Sequence, residues 1–145
     1  MSTKGEAWYR DSAFWQTVQP FVFPEARFDA AAAELDALQT LLDATGAPGL
    51  HGGTRVLDVP CGRGRHSVAL QGYDLMPQHV QAAADRARKA GVEARFDVGD
   101  MFALELPAGA YDLALNLFTS IGYSDDEQDD AIFVESVYEA LRPGG

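Results

Sequence analysis

The sequence predicts an α/β domain, a mostly parallel sheet preceded by a helical segment. Three observations predict it. From residue 55 onward, short β-rich runs alternate with helix-periodic ones, and such alternation builds right-handed crossovers and a parallel sheet. One β-rich run ends in an acid and passes straight into a glycine turn and a helix start, Val56 to His66. The first fifty residues carry helical periodicity only. The 145 residues suffice for one domain, read as a helical cap over 1–50 and a sheet-bearing core over 51–145.

In chain order, Trp8, Tyr9, Phe14, Trp15 and Val18 make residues 6 to 18 aromatic-rich and loosely helical, with an end expected before Pro20. Pro24 opens a second helix, where its missing N–H is no loss. Phe28, Ala31, Ala32, Leu35, Leu38 and Leu42 recur at three- and four-residue steps, one helix face. Gly46 to Gly53 ends it in a loop. Arg55 to Val59 reads as a buried strand, Pro60 to Gly64 as a tight turn, and Arg65 to Leu70 as a helix start. Pro77 starts a helix through about Ala90, closed by Gly91. Val92 to Val98 alternates as a strand does, and Tyr111 to Phe118 is the most apolar strand. Asp125 or Asp126 caps a last helix with Ile132, Phe133, Ser136, Val137, Ala140 and Leu141 on one face; Pro143-Gly144-Gly145 stops it.

Composition narrows the function. Net charge is −11, a field that repels phosphate backbones and argues against nucleic acid as the main partner. No apolar run approaches the roughly 18 residues of a membrane span, and the polar start, with Glu6, is no secretory signal. One cysteine, Cys61, excludes a disulfide framework and a Cys-rich zinc site, so a reducing cytoplasm is the simplest assumption. The expected partner is a small neutral or cationic molecule; nothing in the sequence gives the oligomeric state.

The glycines of the Val56–His66 stretch permit a tight turn and close backbone approach to a ligand. A helix start presents free N–H groups suited to an anion. Asp58 at the strand end suits an ammonium. Together they favour a zwitterionic ligand. Asp74, Asp100 and Asn116 each fall at the C-terminal end of a predicted strand, the edge where open α/β sheets bind ligands. A carboxylate accepting from vicinal hydroxyls fixes a ribose. The dinucleotide pattern Gly-x-Gly-x-x-Gly is incomplete, because Ser67 stands where its third glycine belongs.

Val56-Leu57-Asp58-Val59-Pro60-Cys61-Gly62-Arg63-Gly64 resembles motif I of the class I S-adenosylmethionine-dependent methyltransferases, with Pro60 replacing the first glycine. Four more segments resemble the family in order: Tyr73-Asp74-Leu75, Gly99-Asp100-Met101, Asp112 to Phe118, and Leu141-Arg142-Pro143-Gly144-Gly145. The resemblance implies a Rossmann-like sheet and methyl transfer from S-adenosylmethionine to a nitrogen or oxygen of a small molecule, leaving S-adenosylhomocysteine. It implies that Asp58, Pro60, Gly62 and Gly64 hold the cofactor's amino-acid end. Asp74 and Leu75 serve the ribose, Asp100 and Met101 the adenine, and Asn116 and Leu117 the sulfonium side, with His66 touching cofactor or substrate. No catalytic base is assigned and no metal is required. The alternative is a non-catalytic cofactor-binding fragment or remnant.

Two spacings depart from that family. Gly64 to Asp74 is only ten residues, too short for a crossover helix and a second strand together; a break or abnormal separation is expected between roughly Leu70 and Gly72. The chain also stops after the fourth strand of a sheet that typically has seven, which implies the cofactor-binding part of a longer protein and an open apolar edge on that strand. Other residues carry two readings. Trp8, Tyr9, Phe14 and Trp15 form a lid over the cation or pack a helix on the sheet, with packing preferred. Asp125 to Asp130 is a helix start rather than a metal cluster. The segment Asn116 to Tyr123 is a candidate substrate wall by the same edge argument; its hydroxyls, on Thr119, Ser120 and Tyr123, are equally explained as caps and packing. Cys61 is a small buried residue rather than a nucleophile. His51 and His79 are read as surface residues.

Overall fold

A computed structural model describes residues 7–66, 71–118 and 120–145. A 3₁₀ turn, Trp8–Arg10, leads into α1 (Ser12–Val22), whose start is capped by Asp11 accepting from the backbone N–H groups of Ala13 and Phe14. The helix runs through Pro20, contrary to the expected end before it. So near a helix C-terminus a proline forfeits only one intrahelical bond, and Phe23 N–H still closes on Gln19 O. The long apolar face beginning at Phe28 is divided between α2 (Glu25–Asp29) and α3 (Ala31–Thr45), which meet at Ala30. Gly46, in the left-handed region at φ 71°, ends α3.

Strands β1 (Val56–Asp58), β2 (Gln71–Asp74), β3 (Arg95–Val98) and β4 (Leu113–Leu115) form one parallel sheet in the order β3-β2-β1-β4. Helix α4 (Pro77–Ala90) joins β2 to β3 and is closed by left-handed Gly91; α5 (Glu127–Ala140) follows β4 with Asp126 as its cap. Central β1 is buried along its length, as a strand covered on both faces must be. Leu57, Val59, Met101, Tyr111, Phe133 and Ala140 form the main core on the α5 side. Val56 and Leu115 form a second cluster with Leu38 of α3. On α5 the buried face is narrower than the sequence implied: Phe133 and Ala140 are buried, but Ile132 is 47% exposed.

The second strand corrects an expectation. Gln71–Asp74 is a regular strand, paired with β1 at Gln71 and Gly72 and with β3 along its whole length. No break separates Gln71 from Gly72. About a dozen residues link β1 to β2, near the minimum for a parallel connection, and the described ones, through His66, form turns rather than a helix. Of the helix start expected over Arg65 to Leu70, Arg65 and His66 lie in turns, and Ser67 to Leu70 lie outside the described residues. Gly72 admits Phe96 and Cys61 so closely that a Cβ there would meet the Phe96 ring at 2.6 Å. Just before β4, Tyr111 makes an isolated parallel bridge to Leu141.

At the opposite end from the strand C-termini, Asp112 gathers two arginines. It accepts from the Arg55 backbone N–H (2.7 Å), from Arg55 Nε and Nη2 (3.1 Å each), and from Arg142 Nε. These bonds hold its carboxyl below the usual aspartate range. They tie the start of β1, the start of β4 and the segment after α5 to one side chain.

Candidate functional site

A single cleft opens at the C-terminal edge of the sheet, and four strand ends supply its floor. Asp58, the last residue of β1, is 4% exposed. Burial pushes its carboxyl up to about 8, and the charge of neighbouring Asp74 adds to the effect. The turn that follows begins with Pro60 and places Gly62 (φ 53°) and Gly64 (φ 71°) in the left-handed region. A side chain at Gly62 would be strained and would meet the Phe23 ring at 3.2 Å. Burial pushes the Cys61 thiol well up, so it is no nucleophile near neutral pH.

Asp74 ends β2, 7% exposed. Its Oδ2 accepts from Gly62 N–H (3.0 Å) and its Oδ1 from Met76 N–H (2.9 Å) and His79 Nδ1 (3.2 Å). A carboxylate only accepts, so the His79 proton sits on Nδ1; Nε2 is buried with no hydrogen-bond partner. His79 is 2% exposed, which corrects its reading as a surface residue. The signal was present: His79, Ala83 and Ala87 recur at four-residue steps and are the buried face of α4. His51 is exposed as expected. Beyond β3, Asp100 caps the 3₁₀ turn Met101–Ala103 by accepting from Phe102 N–H, and Arg10 Nη2 donates to its Oδ2 at 2.5 Å.

The helical segment closes over this edge. Trp15 Nε1 donates to Tyr9 O, and the Trp15 and Phe23 rings meet His79 edge-on at 5.6 and 5.1 Å. Tyr9 stacks on Tyr123 at 6.1 Å with the ring planes 29° apart, and Trp8 packs against both. Tyr9 and Trp15 line the cleft, whereas Trp8 and Phe14 only pack the others, so the aromatic group both packs and lids. From α3, Glu34 reaches the turn: His66 Nε2 lies 2.7 Å from Glu34 Oε2, and Arg65 Nη2 lies 3.3 Å from the same oxygen. Phe118, with φ 68°, lies under the Arg65 guanidinium at 3.7 Å and parallel to the His66 ring at 5.7 Å.

Of the residues expected at the site, Asp58, Pro60, Gly62, His66, Asp74, Leu75, Asp100, Met101 and Leu117 line the one cleft. Gly64 and Asn116 do not. Gly64 N–H closes the turn on Cys61 O, and Asn116 Nδ2 donates to Val59 O and Ser120 Oγ, bracing β4 against β1. Tyr123 lines the cleft, Ser120 is that buried brace, and Thr119 lies outside the described residues. Asp126 caps α5, while Asp129 and Asp130 bind Ser124 and the Gly122 N–H. No group of three or more His, Cys, Asp or Glu among the described residues is placed to hold a metal. Phe118, within the expected substrate-wall segment, lines the cleft; sequence reasoning missed Phe23 and Arg27, because only the fold brings them to the strand ends.

Known proteins resemble this chain in sequence and fold. The family described as a methyltransferase domain matches residues 56–145. Erythromycin 3''-O-methyltransferase of Saccharopolyspora erythraea is 33% identical over 110 residues, covering 68% of this chain and 35% of that protein. The 2-methyl-6-phytyl-1,4-hydroquinone methyltransferase of Synechocystis is 29% identical over 130 residues, covering 84% and 39%. The solved sugar N-methyltransferase of Streptoalloteichus superposes with a TM-score of 0.65 at 26% identity, over 86% of this chain and 49% of that one. The chain thus spans less than half the length of each. With the cofactor-side strand order, the motif I turn and the matched span in agreement, the chain belongs to the class I S-adenosylmethionine-dependent methyltransferases.

Proposed function

We propose that this chain binds S-adenosylmethionine in the strand-end cleft and supplies the cofactor-binding part of an enzyme that methylates a nitrogen or oxygen of a small molecule. The carrying observation is that the ends of all four strands converge on one cleft with three acidic groups along it: Asp58, Asp74 and Asp100. The residues suit a zwitterionic, ribose-bearing cofactor. Asp58 is a buried carboxyl on which only burial and Asp74 act, with no hydrogen bond offsetting them, which matches an incoming ammonium. Asp74 Oδ2 receives one bond and retains capacity for a ribose hydroxyl. Met101 and Phe102 offer an apolar floor for adenine beside Asp100.

In this reading Asp58 with the Pro60–Gly64 turn holds the amino-acid end, Asp74 and Leu75 the ribose, Asp100 and Met101 the adenine. Leu117 sits on the sulfonium side, with Asn116 bracing it from behind. The bound cofactor supplies an activated methyl on a cationic sulfur; the chain positions the reactants and excludes water. Residues 1–50 act as the cap and 51–145 as the core, in a cytoplasmic setting. The names of the relatives support transfer to oxygen or to nitrogen, on small acceptors. No helix among the described residues is long and apolar enough to cross a membrane.

A second reading, cofactor binding without turnover, is favoured by the short β1–β2 connection. Calorimetric titration with S-adenosylhomocysteine, with NADH as control, tests the first step. Micromolar binding that is lost in Asp74→Ala and Asp100→Ala supports the cofactor site. No binding by a chain folded by circular dichroism removes it. Binding without methyl transfer to any acceptor leaves the second reading.

A further inference from the structure

The roles proposed above for the cofactor site leave the pair formed by Glu34 and His66 without one, and it has the geometry of an oriented base. Glu34 comes from α3 of the cap, while His66 comes from the turn after β1. Their contact at 2.7 Å crosses 32 residues of sequence. A carboxylate accepts only, so the imidazole proton sits on Nε2 and Nδ1 carries the lone pair. The ring is held on a second side by Phe118, parallel to it within 2°. It is 6% exposed and lines the cleft beside Leu117 and Phe118. A base held by a carboxylate on one nitrogen, with the other left for a substrate proton, is a general arrangement for activating a weak nucleophile.

From this geometry we infer that His66, oriented by Glu34, accepts the proton of a hydroxyl-bearing acceptor, so that the methyl goes to oxygen. The inference rests on the methyltransferase reading above and narrows its acceptor. As the acceptor oxygen bonds to the methyl carbon, the carbon–sulfur bond breaks and sulfur keeps that electron pair. The O–H proton passes to His66 Nδ1, and the imidazolium faces the Glu34 carboxylate until it loses the proton to water. An amine needs no such partner in the transition state, since its neutral form attacks directly and the product ammonium loses its proton afterwards. Burial holds the His66 ring below its ordinary value, with Glu34 opposing this and Arg65 assisting it, so the ring is neutral and ready to accept near pH 7. The charged groups around it are Glu34 on α3 and Arg65 in the turn, with Arg27 of α2 acting on Arg65.

The test has three arms on the full chain. The first follows the His66 imidazole by NMR titration in the wild type and in Glu34→Gln. Its titration should move to lower pH in the variant, and an unchanged titration overturns the pairing. The second measures labelled methyl transfer from S-adenosylmethionine to catechol and methyl glucoside, against benzylamine. Transfer to a hydroxyl probe is expected, with His66→Asn and His66→Gln lowering kcat at least a hundredfold. The third measures S-adenosylhomocysteine affinity in the same variants, which should change less than fivefold. Transfer to the amine alone, transfer to neither class by a chain that binds S-adenosylhomocysteine, or hydroxyl transfer unaffected by both His66 variants overturns the inference. Loss of S-adenosylhomocysteine binding in the wild type is the separate failure of the cofactor reading, and it removes this inference with it.

Discussion

Asp58 has an aspartate for a neighbour and almost no water, and its protonation follows from both. Its folded-state value, about 8, lies above the ~3.9 of an unfolded aspartate. Between those values the folded chain binds the extra proton, so this group's contribution to stability falls as pH rises through that window. Asp58→Asn should therefore stabilise the free chain near pH 8, on the order of 1–3 kcal/mol, while abolishing S-adenosylhomocysteine binding; thermal melts and calorimetry check the two halves. An ammonium placed against Asp58 favours its ionised form. Binding near pH 7 should then release close to one proton, seen as a dependence of the calorimetric enthalpy on buffer ionisation heat. Equal enthalpies in phosphate and Tris would contradict it. Asp58 and Asp100 were legible from the sequence because each follows a strand signal and stands at an edge that topology defines; Asp74 was legible through the resemblance of Tyr73-Asp74-Leu75 to the family's second-strand end. His79 was not, because a lone histidine on a polar helix gives no sign of what will cover it; here Trp15 and Phe23 do.

Among elements, the cap meets the core at a few discrete places: Arg10 on Asp100, Trp15 and Phe23 on His79, Arg86 over Phe28, and Glu34 on the turn. Trp8 and Trp15, the two tryptophans of the chain, both lie in it. S-adenosylhomocysteine entering beside Trp15 should change the intrinsic fluorescence, and Trp15→Phe should remove most of that change; a titration silent in fluorescence but visible in calorimetry would place the cap away from the ligand. The Arg10–Asp100 bond is partly exposed, so Arg10→Ala should cost less than about 1 kcal/mol in denaturant unfolding. At the other end, Asp126→Ala removes the cap of α5 and should cost about 1 kcal/mol in the same measurement. Helix α4 was readable to the residue, since Pro77 and Gly91 punctuate it at both ends. The α2–α3 division was not: Ala26 and Ala30 to Ala33 carry the helical pattern through the bend.

For the whole molecule, the parallel sheet places every acidic strand end on one edge and the Asp112 cluster on the other. Because Arg55 and Arg142 hold the Asp112 carboxyl below its unfolded value, its contribution is present above about pH 4 and is lost as pH falls further. Stability measured from pH 6 down to pH 3 should fall more steeply in the wild type than in Asp112→Asn. Parallel slopes would mean that the cluster is neutral in energy. The parallel sheet was legible from the alternation of elements; the order of its strands comes from the structure. The second strand was misjudged because Gln71 to Asp74 is short and mostly polar and carries no strand pattern of its own; its pairing with two neighbours supplies what the local sequence lacks.

That strand order also sets a timetable. Central β1 needs both β2 and β4, and β4 is made more than fifty residues after it. At a synthesis rate of roughly 5–20 residues per second, the apolar β1 waits about 3–11 s for its second neighbour. Throughout that interval Val56 and Leu57, almost wholly buried in the finished fold, face the surroundings along one open side. Yield of this chain in a cell is thus governed by ribosome speed and by chaperones that shield a nascent edge, as well as by the stability of the completed sheet.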